Sequence, residues 1–175
     1  MADGTVTIRP IDPDADAELA FVADRMRQTL VEVEGEAGRT LYALDWLRDR
    51  VAFHLDPARS AGAVFVAVGA GSELLGHTIV RIEHEEPALR FGLFSTTWVE
   101  PSARRAGVAD RLLARGEAWM RAHDVAEAAT WTSATNSGLI GLYARRGYVR
   151  TDSGPNDLTA TVMVRLARSL NESTR

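Results

Sequence analysis

The segment from Val99 to Ala109 constrains the fold of this chain more than any other part of the sequence. It reads V-E-P-S-A-R-R-A-G-V-A, so an apolar strand passes through a proline and two arginines into the start of a helix. Gly107 and Ala109 leave little side chain at this turn, where the first N–H groups of the helix have no intrahelical partner. Such a turn, at the positive end of the helix dipole, suits a bound anion, although the same pattern also occurs as a simple turn.

The composition favours one globular domain over residues 1–175 and excludes several kinds of chemistry. The chain is 46% hydrophobic, which is enough for one sizeable core, and its net charge of −4 disfavours nucleic-acid binding. It contains no cysteine, so a disulfide, a thiolate metal site and a cysteine nucleophile are excluded. Its four histidines lack the spacing of a metal site, and we therefore expect no metal cofactor.

Two further features bear on where the protein resides. The longest weakly polar run, residues 61–71, is far too short to cross a bilayer, so no membrane association is expected. Residues 1–10 contain no apolar segment of the kind that a secretory signal requires. We therefore expect a cytoplasmic protein.

Hydrophobic spacing and chain-breaking residues predict an α+β fold with the order β-α-α-β-β-β-α-β-α-β-β and helices on both faces of the sheet. Strands are predicted at residues 6–10, 63–68, 74–83, 90–99, 127–132, 148–151 and 161–166. Asp12 or Asp14 is expected to cap the first helix, and Thr40 the second, with a polar loop at residues 32–39. Turns are predicted at residues 84–88 and 154–157.

The two later helices have the clearest patterns. The third is predicted to bury a face made of Val108, Ala109, Leu112, Leu113, Gly116, Trp119 and Met120. Glu117 falls outside that face, among the charged residues that we expect to be exposed. The fourth helix is predicted to start at Asn136 and to end at Gly147, which serves as its C-terminal glycine.

Two motifs in this order resemble the GCN5-related N-acetyltransferase (GNAT) family, and the resemblance covers residues 60–167. The motifs are Val99-x-Pro101-x-x-Arg104-x-x-Gly107-Val108-Ala109-x-x-Leu112-Leu113 and Asn136-x-x-x-x-x-Leu142-Tyr143-x-x-x-Gly147-Tyr148. The resemblance implies a three-layer α/β/α fold whose sheet is mixed and mostly antiparallel, with one splayed pair of parallel strands. It also implies an acetyl-CoA-dependent N-acetyltransferase.

The resemblance further implies that acetyl-CoA lies where the strands at residues 90–99 and 127–132 splay apart. Its pyrophosphate is expected on the backbone N–H groups of Arg105, Ala106, Gly107, Val108, Ala109 and Asp110, and its pantetheine arm along Thr97, Trp98 and Val99. Arg104 and Arg105 either add positive charge or are ordinary surface arginines. Asn136 either binds the pantetheine arm or acts only as a helix N-cap.

Tyr143 matches the family tyrosine that lies near the thioester sulfur and protonates the departing thiolate, and its alternative role is that of a core aromatic residue. Because the chain has no cysteine, the acceptor amine is expected to attack the thioester directly. A backbone N–H near Val99 is expected to stabilise the oxyanion. The expected activity is acetyl transfer from acetyl-CoA to a primary amine of a small molecule or a peptide.

The sequence departs from the resembled family at the positions that usually supply a general base. Many members have a glutamate four residues before the position of Val99, or five before that of Asn136, where this chain has Ser95 and Trp131. The other candidates are Glu83, His84, Glu85 and His77, or a water chain through Ser95 or Thr97, and none is favoured. The competing hypothesis is therefore a non-catalytic domain that binds acyl-CoA.

Acceptor specificity in the resembled family comes mainly from the two N-terminal helices, their loop, and the turn before the strand that ends at Val99. These segments contain carboxylates and aromatic side chains that suit a cationic amine, namely Glu32, Glu34, Glu36, Tyr42, Asp45, Trp46, Glu83 and Glu85. Tyr42 and Trp46 are i,i+4 neighbours, and packing against the core is the favoured interpretation for them. A homodimer is common in that family, and the last strand is a candidate for pairing across it.

Overall fold

The computed structural model describes residues 4–86 and 89–171, and its element order confirms the predicted α+β succession. The strands are β1 (Thr7–Pro10), β2 (Gly62–Val68), β3 (Leu74–Glu86), β4 (Leu89–Val99), β5 (Glu127–Ser133), β6 (Val149–Pro155) and β7 (Val162–Ser169). The α-helices are α1 (Asp16–Glu34), α2 (Leu44–Leu55), α3 (Val108–Ala122) and α4 (Ser137–Arg145). Short 3-10 helices cover Gly35–Thr40 and Pro101–Ala103.

The strands form one sheet with the order β1-β2-β3-β4-β5-β7-β6. Every neighbouring pair is antiparallel except β4 and β5. These two parallel strands pair only at Gly92–Ala128, Leu93–Ala129 and Phe94–Thr130. The splayed parallel pair is thus confirmed, and beyond Phe94 a gap opens in the middle of the sheet.

Helices cover both faces of the sheet, because alternate strand residues are apolar on each side. The core under α1 and α2 contains Val22, Met26, Leu47, Val51, Val64, Val66 and Ile79. The core under α3 and α4 contains Phe65, Val80, Phe94, Leu112, Leu113, Met120 and Tyr143. Within the described residues, none of the helices has the length and apolar character that crossing a bilayer requires.

The connection between α1 and α2 is helical, so the loop predicted at residues 32–39 is wrong. Helix α1 continues through Glu34, and the next six residues form a 3-10 helix. Gly38 lies against the preceding turn of α1, where a Cβ atom would be 2.2 Å from the Leu30 carbonyl oxygen. This close contact, which the local sequence does not reveal, folds the segment back onto the helix.

The helix caps predicted at Asp12, Asp14 and Thr40 are also wrong. Ala15 and Ala43 precede α1 and α2, and neither helix start receives a side-chain cap from a described residue. Asp12 instead accepts a hydrogen bond from the Asp14 N–H at 3.0 Å, before the helix begins. Short polar side chains bind backbone N–H groups of local turns as readily as those of helix starts. Spacing alone therefore does not distinguish the two roles.

Two strand ends differ from the predicted turns. β3 continues to Glu86, and Pro87 and Ala88 of the turn predicted at residues 84–88 lie outside the described residues. β6 continues to Pro155, because its pairing with β7 includes the first two residues of the turn predicted at residues 154–157. β7 lies between β5 and β6, so pairing of the last strand across a dimer is wrong, and β6 is the edge strand at that end of the sheet.

Helix α3 buries the predicted apolar face together with one residue that was expected to be exposed. Gly116 packs against β4 so closely that a Cβ atom there would lie 2.4 Å from Cε1 of Phe94. Glu117 is only 2% exposed, because Arg146 and Tyr148 bind its carboxylate. These partners lie about thirty residues further along the chain, so helical periodicity could not indicate them.

Candidate functional site

The gap between β4 and β5 begins at a β-bulge. Ser95 is the additional residue, since Phe94 and Thr96 lie opposite consecutive residues of β3. A bulge bends its strand and increases the local twist. β4 therefore leaves β5 at this point, whereas β3 follows β4 to its end.

The last residues of β4 present backbone groups to the gap. The Glu100 N–H donates to the Leu75 carbonyl of β3 at 2.8 Å. Because antiparallel strands bond through alternate residues, the backbone of Trp98 also faces β3, whereas the N–H and C=O groups of Thr97 and Val99 point towards the gap. An extended ligand that contains amides can pair with these groups as an added strand does.

The turn into α3 has the geometry of an anion site. Arg105 and Gly107 have positive φ angles of 62° and 79°. Gly107 precedes the helix without a side-chain cap from any described residue, so the N–H groups of Val108, Ala109 and Asp110 have no intrahelical acceptor. A Cβ atom on Gly107 would meet nothing within 4 Å. The turn thus needs glycine for its backbone conformation rather than for space within the protein.

Arg104 binds the end of β4 rather than the turn into α3. Its Nε donates to the Val99 carbonyl oxygen at 2.8 Å, and its guanidinium lies 4.6 Å from the centre of the Trp98 ring. Nη2 also lies 3.0 Å from the Glu32 carboxylate. Arg104 therefore ties α1 to the strand end, and Arg105 is the arginine exposed on the turn itself.

Tyr143 lies under the gap as a buried aromatic residue. Its side chain is 1% exposed, and its ring packs edge-on against Phe94 and Tyr148 with centroid distances of 6.0 and 4.8 Å. Its side chain lies close to those of Thr97 in β4 and Thr130 in β5, one on each side of the gap. Burial raises the pKa of Tyr143, so the phenol carries its proton at neutral pH.

Asn136 occupies the N-cap of α4. Its Oδ1 accepts a hydrogen bond from the Leu139 N–H at 3.2 Å. The helix-cap role is therefore present, and the carbonyl half of the side chain performs it. The amide NH₂ group is the half that a ligand in the gap could use as a donor.

The positions considered for a general base belong to β3, β4 and β5. Trp131 is next to Thr130 in β5, so its side chain lies on the opposite face of the sheet from that of Thr130. Glu83 forms an ion pair with Arg81, and His84 is exposed. Glu85 belongs to β3, and its side chain lies outside the described part of the chain.

His77 is a buried strand histidine on the face covered by α1. Its Nε2 lies 2.9 Å from Thr96 Oγ1, and its Nδ1 has no partner among the described residues. Burial, aided by the charge of Arg25, lowers the pKa of His77 to about 3. His77 is therefore neutral at physiological pH and lies behind β4 rather than in the gap.

Acidification from pH 7 to pH 5 is expected to lower the free energy of unfolding by about 2 kcal/mol through His77 alone. The folded pKa of about 3 lies below the ordinary value of 6.5, so the unfolded chain binds the additional proton in this window. Stability is therefore lost as the pH falls below 6.5. Urea unfolding at both pH values measures the effect, and His77→Gln should remove that part of it. An equal loss in the variant contradicts the assignment.

Most of the predicted acceptor carboxylates have partners. Glu32 pairs with Arg104, Glu36 with Arg39, and Glu34 accepts hydrogen bonds from Thr159 and Thr161 at 3.1 and 2.9 Å. Through Glu34, the end of α1 is fastened to the turn between β6 and β7. Tyr42 and Trp46 stack with a centroid distance of 4.3 Å, and Trp46 remains 46% exposed.

A cavity of about 420 Å³ lies where β5 meets the turn between β6 and β7. It is lined by Trp131, Gly154, Pro155, Asn156, Asp157, Leu158 and Met163. No local motif indicates a functional role for this turn, because its proximity to β5 depends on the strand order. Trp131, which occupies a position where many members of the resembled family have a glutamate, lines this cavity.

Comparison with known proteins gives one family and many similar folds. The model of the acetyltransferase (GNAT) family matches residues 24–148. No curated protein matches the chain. The Salmonella typhimurium protein yncA, solved with its cofactor acetyl-CoA, superposes with a TM-score of 0.74 at 16% identity, covering 97% of this chain and 96% of that one.

Two further solved structures have the same fold. A GCN5-related N-acetyltransferase from Kribbella flavida has a TM-score of 0.73 and 15% identity, with 94% of this chain and 97% of that one covered. The ribosomal-protein-alanine N-acetyltransferase from Brucella melitensis has a TM-score of 0.74 and 17% identity, with coverage of 93% and 99%. These proteins share the fold of this chain at low sequence identity.

Proposed function

This chain belongs to the GNAT acetyltransferase family, and on that premise we propose that it transfers the acetyl group of acetyl-CoA to a primary amine. The observation that carries the proposal is the gap in the middle of the sheet. Its edge presents the backbone groups of Thr97 and the N–H of Val99, and it leads directly to the start of α3, which no described side chain caps.

Acetyl-CoA fits the groups along this path. The N–H groups of Val108, Ala109 and Asp110, with the exposed Arg105, provide positive potential for a pyrophosphate. The amides of a pantetheine arm match the backbone groups of β4 that point towards the gap. A structural neighbour solved with acetyl-CoA supports the same class of ligand.

The proposed reaction is a direct transfer. The neutral amine attacks the thioester carbonyl carbon, the C–S bond breaks, and the acetyl group remains on nitrogen. The Val99 N–H points towards the gap and can bind the developing oxyanion, while Tyr143 donates its proton to the departing thiolate. A cysteine acyl-enzyme is excluded because the chain has no cysteine.

We propose that water removes the proton from the attacking amine, and that this proton returns through solvent to restore the Tyr143 hydroxyl. Glu83 is paired with Arg81, and His77 is neutral and buried on the opposite face from Tyr143. Ser95 lies at the bulge where the gap opens and can hydrogen-bond such a water. A free carboxylate is therefore unnecessary for the assignment of an enzymatic role.

A cationic amine, on a small molecule or a peptide, is supported by Asp157 and the aromatic Trp131 in the cavity beside the gap. We propose one catalytic domain over residues 1–175 that is cytoplasmic and independent of metal. No group of potential metal ligands occurs among the residues that the structure describes. The free edge of β6 is a candidate surface for a homodimer.

Calorimetric titration with acetyl-CoA, followed by a thiol-release assay with a panel of amines, tests the proposed function. We expect binding, and CoA release that at least one polyamine, amino-acid amide or peptide N-terminus stimulates. Binding without any amine-stimulated release supports a non-catalytic acyl-CoA-binding domain instead. Failure to bind acetyl-CoA contradicts both functions.

A further inference from the structure

Arg146 joins the end of α4 to the first turn of α3. Its Nη1 lies 2.7 Å from Asp110 Oδ1, in the first turn of α3. Its Nη2 and Nε donate to the two carboxylate oxygens of Glu117, at 2.6 and 3.2 Å. One guanidinium thus bridges two carboxylates about two helical turns apart on the same helix.

Glu117 fixes this guanidinium in place. The Glu117 carboxylate is nearly fully buried, and it also accepts a hydrogen bond from the Tyr148 hydroxyl at 2.9 Å. A buried carboxylate requires such partners, so the bidentate pair with Arg146 is held firmly. Burial opposes the charge of Arg146, but the bonds to Glu117 and Asp110 keep its pKa above the ordinary value.

Asp110 poses an electrostatic problem for an anion site. Its backbone N–H is one of the three free donors at the start of α3, yet its own side chain is a half-exposed carboxylate. A carboxylate in the first turn competes with any other anion for the positive end of the helix. Arg146 offsets that charge through the 2.7 Å contact without itself lying on the turn.

We propose that Arg146 is a positioning residue of the acetyl-CoA site: anchored by Glu117, it neutralises Asp110 so that the start of α3 can accept a pyrophosphate. The inference rests on the proposed function, because it concerns the same cofactor. It assigns the paired charges between α3 and α4 to cofactor affinity as well as to packing. It involves neither the thioester nor the acceptor amine.

Calorimetry with acetyl-CoA and four variants tests this role. Arg146→Gln is expected to weaken binding by about 10- to 100-fold, because the Asp110 charge is then unopposed. Adding Asp110→Asn to that variant is expected to restore affinity to within about 3-fold of the wild type. Since Arg146→Gln also leaves Glu117 unpaired in the interior, the pair Arg146→Gln with Glu117→Gln provides a second background for the same rescue.

A truncated donor separates electrostatics from packing. S-acetylpantetheine lacks the pyrophosphate, so its KM with a responsive amine should be the same in each Asp110 and Asp110→Asn pair. A purely structural role of Arg146 predicts equal losses for both donors and no rescue by Asp110→Asn, and either result overturns the inference. If wild-type protein binds acetyl-CoA but the Arg146 variants bind it equally well, only this inference fails. If the wild type does not bind, the proposed function fails with it.

Discussion

Replacement of Tyr143 by phenylalanine is expected to lower kcat by about 10- to 1000-fold with little change in affinity for acetyl-CoA. The phenol is buried under the gap, close to Thr97 and Thr130, and its raised pKa keeps it protonated. It can therefore supply the proton that a departing thiolate needs. The substitution removes only the hydroxyl, so the packing of the ring against Phe94 and Tyr148 is preserved.

Two measurements distinguish this acid role from a structural one. The dissociation constant of acetyl-CoA and the melting temperature of Tyr143→Phe should both stay near their wild-type values while kcat falls. A variant whose kcat remains within about 3-fold of the wild type rejects Tyr143 as the acid, since general acids contribute more than that. A variant that loses cofactor affinity in proportion to activity assigns the hydroxyl to binding instead.

Gly107→Val is expected to weaken acetyl-CoA binding by about 5- to 150-fold, which corresponds to the roughly 1–3 kcal/mol of strain that a branched residue incurs at positive φ. Gly107 has φ 79° and ψ 6° directly before the first free N–H groups of α3. Relief of the strain requires the turn to move, and those N–H groups move with it. Titration calorimetry measures the change.

Gly107→Asn is the matched control, because asparagine adopts the left-handed conformation more readily than other side chains. Apart from its chain neighbours, no described part of the protein lies within 4 Å of a Cβ atom at this position, so neither side chain is crowded there. Asparagine should therefore retain most of the affinity that valine loses. Equal affinity of the valine variant and the wild type contradicts the assignment of this turn to the pyrophosphate.

The order of elements could be predicted from the sequence because each strand and helix has its own periodicity. The predictions that the structure contradicts concern residues whose contacts are made with partners elsewhere in the chain. Glu117 is charged and was expected to be exposed, but Arg146 and Tyr148 make its burial possible. Glycine in a polar segment is typical of a loop, but Gly38 allows the 3-10 helix to pack closely against Leu30 of α1.

For the candidate site, the local backbone conformation could be predicted from the sequence, but the contacts of its side chains could not. The turn at Gly107 and the cap at Asn136 are local features, and the structure has them where the motifs lie. The role of Arg104 was predicted less well, because the motif gives its position but not its contacts with Val99 and Glu32. The turn between β6 and β7 carries no functional motif, and only the strand order brings it beside Trp131.

The short parallel pairing of β4 with β5 divides the sheet into two half-sheets that share three rungs at one end. Beyond Phe94, β4 has the character of an edge strand, although it lies in the interior of the sheet. A ligand that bonds to this interior edge takes the place of a missing strand. The proposed acetyl-CoA would therefore bridge the two half-sheets while it is bound, and its release would leave them joined by the three rungs alone.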